Sequence, residues 1–156
     1  MPKAPITFTN EIKHVEKHIA HLLGGDLGPE QSQDVMQMTN GITQLVALID
    51  KAYAATDPLI VLSEEGHAMR NALNRTFGHS MVLADFPYVH PKEHLTSEQI
   101  AVVRRVYNHT ENLLYLITEI NIYAKLQRDK FPVATFVPTQ LILIMERLAE
   151  EFNVAF

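Results

Sequence analysis

Residues 96–128 read TSEQIAVVRRVYNHTENLLYLITEINIYAKLQR, and the fold turns on this stretch. Thr96, followed three residues later by Gln99, has the form of a capping box, in which each side chain satisfies a backbone N–H at the head of a helix. Beyond it, Ile100, Val103, Tyr107, Thr110, Leu114, Ile117 and Ala124 recur at steps of three, four and seven, and Val106, Leu113 and Ile120 widen the stripe. That period is helical. Nothing breaks it before Phe131-Pro132. A long helix with one broad apolar side must bury that side against other helices.

The partners lie upstream. Gly28-Pro29 opens a helix carrying Val35, Met38, Ile42, Leu45, Ile49 and Ala52, an apolar seam of the kind that faces a bundle. Before it, Asn10 is the expected cap of a helix ending at Leu23 ahead of Gly24-Gly25, with a stripe of Ile12, Val15, Ile19 and Leu22. Thr56-Asp57-Pro58 starts a third helix expected to run to about Leu83. Pro87 and Pro91 forbid helix in the loop that follows. After Pro132 the chain reads as extended, and Thr139 to Phe152 as a short final helix. Its apolar run LILIMERLAEEFNVAF (141–156) is expected to dock on the bundle or on a second copy.

The chain also repeats. Pro29-Glu30-Gln31 and Ser97-Glu98-Gln99 begin two helices that align without a gap, Val35 with Val103, Met38 with Val106, Leu45 with Leu113, and Leu48-Ile49 with Leu116-Ile117. The expectation is an all-α protein: a four-helix bundle built from two tandem hairpins (about 9–55 and 58–130), with a C-terminal extension over 131–156. At 156 residues this is one domain with room for a sizeable core.

Composition bounds the function. There is no Cys, which removes disulfides and thiolate metal sites. A net charge of −5 argues against a broad nucleic-acid footprint. The string LTSEQIAVVRRV has a surface likeness to a helix-turn-helix, but the helical pattern runs on without a turn. No apolar stretch reaches the roughly 18 residues of a membrane span, and MPKAPITF has no signal-like core. The chain is therefore expected to be cytoplasmic, with no membrane or nucleic-acid partner and no cofactor.

Two histidine-bearing helix faces stand out. On the third helix, ~100° per residue gathers Met69, Ala72, Leu73, Thr76, Ser80 and Leu83 on one side and sends His67 the opposite way, with Asn71, Asn74 and Gly78 beside it and Arg70 and Arg75 flanking. An exposed neutral imidazole is a usable nucleophile. On the first helix, Glu11, His14, His18 and His21 line one side, and H-x3-H can share a metal ion. No further ligand stands at a known position, so histidines at a helix or subunit boundary are the favoured reading and no metal site is assigned.

The string GHAMRNALNRTFGHSMVL (66–83) resembles the phosphoacceptor box of the dimerisation and histidine-phosphotransfer domain of sensor histidine kinases. His67, Met69, Arg70, Asn71, Leu73, Asn74, Gly78 and Ser80 match in register, and 95–131 looks like that domain's second helix and exit. The first hairpin resembles it more weakly, through GDLGPEQ (25–31) and LVALID (45–50). The resemblance implies that His67 is the phosphoryl acceptor, that Arg70 helps hold the phosphoryl group, and that Asn71 occupies the position that orients a hydrolytic water. The partner it implies is a response-regulator receiver or a histidine kinase.

Three departures matter. The acid after the histidine is Ala68, the helix-bending Pro is Ala72, and no nucleotide-binding glycine-rich motif occurs. Autokinase activity is therefore not expected. In the first hairpin the equivalent of His67 falls near Thr7, so the site is single. The chain reads as a fused pseudo-dimer, with a homodimer as the other way to complete a bundle. The competing functional class is a non-catalytic interaction bundle.

Overall fold

The structure is a computed structural model describing residues 6–85 and 95–128, together with Glu146, Arg147 and Glu150. It is all-helical over the described residues: α1 (Ile6–Leu23), α2 (Pro29–Tyr53), α3 (Pro58–Glu64), α4 (Gly66–Asp85) and α5 (Ser97–Arg128). None of these helices is long and apolar enough to cross a membrane. The short helix expected over 139–152, and the extended segment before it, fall almost wholly outside the described residues. Arg147, from that segment, does pair with the carboxylate of Glu119 on α5.

The four long helices touch in a cycle, α1 to α2, α2 to α4, α4 to α5, and α5 back to α1, while α3 packs on α5 and α2. That cycle is unchanged when the two halves are exchanged, as a duplicated hairpin requires. Burial repeats with it. Val35 and Val103, Met38 and Val106, Leu45 and Leu113, and Ile49 and Ile117 are all core residues. The caps repeat as well: the Gly28 N–H donates to Gln31 Oε1 (3.0 Å), and the Thr96 N–H donates to Gln99 Oε1 (2.9 Å). On α5 the box is complete, because the Gln99 N–H donates to Thr96 Oγ1 at 3.1 Å. Gln99 Nε2 also donates to the Asp26 carbonyl (2.8 Å), tying the start of the second repeat to the turn of the first.

Two boundaries differ from the sequence reading. Helix α1 begins at Ile6, which leaves Asn10 inside the helix and not at its cap. Phe8 is 1% exposed and extends the stripe one turn upstream, and burying its ring outweighs the capping preference of Asn10. The single helix expected over 57–83 is two, α3 and α4, meeting at Glu65 (φ −89°, ψ 2°). The turn hydrogen bonds carry on across the junction, from the Glu65 N–H to Val61 O and from the Met69 N–H to Glu65 O, so it is a bend in a nearly continuous helix. Gly66 follows, in close approach to α5, where a Cβ would lie 2.4 Å from Asn121 Nδ2.

Burial also refines the repeat. Phe8, Ile12, Val15, Ile19 and Leu22 coincide with Met69, Leu73, Thr76, Ser80 and Leu83, all of them buried, at a constant offset of 61 residues. This register places Ile6, not Thr7, opposite His67.

Candidate functional site

Helix α4 divides as its period predicts. Met69, Ala72, Leu73, Thr76 and Ser80 are at most 1% exposed, and Leu83 is buried with them. His67, Arg70, Asn71, Asn74 and Arg75 are exposed, and Ala68 and Gly78 are half-buried. A Cβ built on Gly78 would meet nothing within 4 Å, so the outer strip is open there. Arg70 Nη2 reaches Thr118 Oγ1 on α5 at 3.5 Å, which rests the guanidinium between the two helices of this hairpin. His67, Arg70 and Asn71 thus share one solvent-facing strip in the first two turns of α4, and Ala68 leaves no carboxylate at the position after the histidine.

The inner side fixes where this strip points. Thr76 Oγ1 donates to the Met38 carbonyl on α2 at 2.9 Å, within the core. Gly41 lies in the same crossing: a Cβ there would sit 2.3 Å from Thr76 Oγ1 and 2.5 Å from the Ala72 carbonyl. Near the other end, His79 Nδ1 meets Asp34 Oδ1 at 2.8 Å. The rotation of α4 is therefore set by close contacts with α2 along its length.

A second cluster lies between α1 and α5. His109 of α5 stacks on His14 (centroids 4.7 Å apart, planes at 11°) and on His18 (5.8 Å, 17°). His109 Nδ1 is 2.6 Å from Glu11 Oε2, and the other oxygen of Glu11 accepts from Asn112 Nδ2 at 3.4 Å. One nitrogen from each of His14, His18 and His109 lies within 4.8 Å of the other two. Burial, followed by the neighbouring His109, Arg105, Lys17 and His14, holds the His18 imidazole below its ordinary pKa. His18 also lines a cavity of about 540 Å³ with Lys17, His21, Glu98, Val102 and Arg105. His21 faces Glu98 at 3.5 Å and is not part of the trio.

The sequence reading placed His14, His18 and Glu11 on one side of α1 but missed His109, because Glu11 and His109 are 98 residues apart. The repeat held a signal. His109 aligns with Gly41, which faces its partner helix in the other half, so residue 109 had to face α1.

Comparison with protein-family models, with curated proteins and with solved structures finds no match. The resemblance to the phosphotransfer hairpin therefore rests on the residues quoted for it alone.

Proposed function

We propose that this chain is a two-component signalling accessory protein, a phosphotransfer-domain-like bundle that docks a response-regulator receiver or a histidine kinase on the His67 side of α4. The observation that carries this reading is the strip itself. His67, Arg70, Asn71, Asn74 and Arg75 are exposed on α4 while the opposite register is fully buried. The strip is polar, carries two guanidinium groups, and is open at Gly78. A partner bearing an acidic or phosphorylated site finds charge complementarity there and little steric obstruction.

Docking is the main role. Ala68 removes the residue that would act as a base beside His67, and autokinase chemistry goes with it. Accepting a phosphoryl group from an already phosphorylated receiver needs less from the chain. One nitrogen of His67 attacks phosphorus, the P–O bond to the receiver's aspartate breaks, and the carboxylate leaves. The new P–N bond puts positive charge on the ring, which is relieved by loss of the proton on its other nitrogen. Arg70 would offset phosphoryl charge, and Asn71, one turn on, would hold water for hydrolysis.

Incubation with radiolabelled, phosphorylated receiver domains separates these roles. Label on His67, abolished in His67→Ala, establishes relay. Faster loss of label from the receiver, slowed in Asn71→Ala, establishes hydrolysis. Receiver binding with neither effect leaves docking alone. If no label moves and His67→Ala leaves binding intact, the phosphorelay version fails.

A further inference from the structure

We propose that His14, His18 and His109 form a three-imidazole site for a divalent transition ion of the zinc class, linking α1 of the first hairpin to α5 of the second. His14 and His18 stand one turn apart on α1, and His109 comes from the facing helix. The three candidate ligand nitrogens already lie within 4.8 Å of one another. Tetrahedral zinc with Zn–N of about 2.0–2.1 Å needs them roughly 3.4 Å apart. His14 is exposed and His18 half-buried, so both rings have room to turn inward and close that gap.

Glu11 provides the second observation. Its Oε2 stands 2.6 Å from His109 Nδ1. A carboxylate on one ring nitrogen fixes the proton there and leaves Nε2 as the lone-pair donor. That is the arrangement by which metal-ligating histidines are commonly oriented. His109 is the anchored ligand, and the two α1 histidines close on it. Three neutral nitrogen donors and no thiolate suit zinc, nickel or copper over magnesium or calcium. The fourth position stays open, and His18 lines the adjoining cavity.

The repeat predicts a stoichiometry of one. At the equivalent place between α2 and α4 the matching residues are Gly41, Arg75 and His79, which cannot make a second three-imidazole site. The site is also distinct from His67, which is on α4.

The test is titration of the untagged full chain with Zn²⁺ by calorimetry, with Co²⁺ absorption reporting coordination. One equivalent should bind, with the intense visible bands of four-coordinate Co²⁺. His18→Ala and His109→Gln should each weaken binding at least tenfold, and Glu11→Gln by about tenfold or more, with helicity retained by circular dichroism. His21→Ala should bind as the unaltered chain does. Absence of binding would overturn the proposal. So would a His109→Gln affinity equal to the unaltered chain's, because binding would then belong to the α1 pair alone. Should His109→Gln not fold, Glu11→Gln decides in its place: unchanged affinity there removes the oriented ligand from which the site is built.

Discussion

At residue 76 a threonine hydroxyl crosses from one helix to donate to the Met38 carbonyl of another, in a fully buried position. A hydrogen bond of this kind is worth about 1 kcal/mol net. Thr76→Val keeps the shape and removes the donor, so it should lower the melting temperature by about 2–4 °C for a chain of this size. Thermal unfolding followed by circular dichroism measures this, and an unchanged melting temperature would mean the bond contributes nothing. At this scale the sequence was legible wherever a residue's role follows from its own helix. The outward placement of His67, Arg70 and Asn71 needed only the helical period. His109 was illegible by the same method, because its partners Glu11, His14 and His18 sit on a helix nearly a hundred residues away.

Helices α2 and α4 are held together by the fit at Gly41. A methyl group there would meet a side-chain oxygen at 2.3 Å and a backbone carbonyl at 2.5 Å, and the carbonyl can move aside only if the helix does. Overpacking of this sort costs about 1–3 kcal/mol, more than the up to ~1 kcal/mol that alanine gains over glycine in a helix. Gly41→Ala should therefore destabilise the fold, while Gly78→Ala, with nothing near its Cβ, should stabilise it by up to ~1 kcal/mol. Chemical denaturation of the two variants checks the opposite signs. Helix existence and core-facing sides were legible in the sequence because apolar spacing carries them. The start of α1 and the bend at Glu65 were not. The first follows burial of Phe8 in the core and the second falls where Gly66 lies against Asn121, neither of which local preferences encode.

Exchange of the two halves leaves the cycle of helix contacts and the principal core positions in place, which is compatible with an internal pair. Its function would then lie where the pair is unlike. One half presents His67, Arg70 and Asn71 on the outer side of α4, and the other has Ile6 opposite His67. One inter-hairpin seam closes on Gly41, and the other opens around His14, His18 and His109. The expectation of a repeat came from the gapless match of Val35 with Val103 and its neighbours, and the differences between the halves became visible once burial fixed the offset of the first helices. The most direct test of the proposed docking surface is a titration of phosphorylated receiver domains and kinase helical hairpins against the unaltered chain and against Asn71→Arg and Gly78→Arg, two bulky changes on the exposed strip of α4. The expected result is a complex with at least one of these partners, weakened tenfold or more by either substitution while helicity is kept and the melting temperature does not fall. No complex with any of them, or a complex that both substitutions leave unchanged, would contradict it.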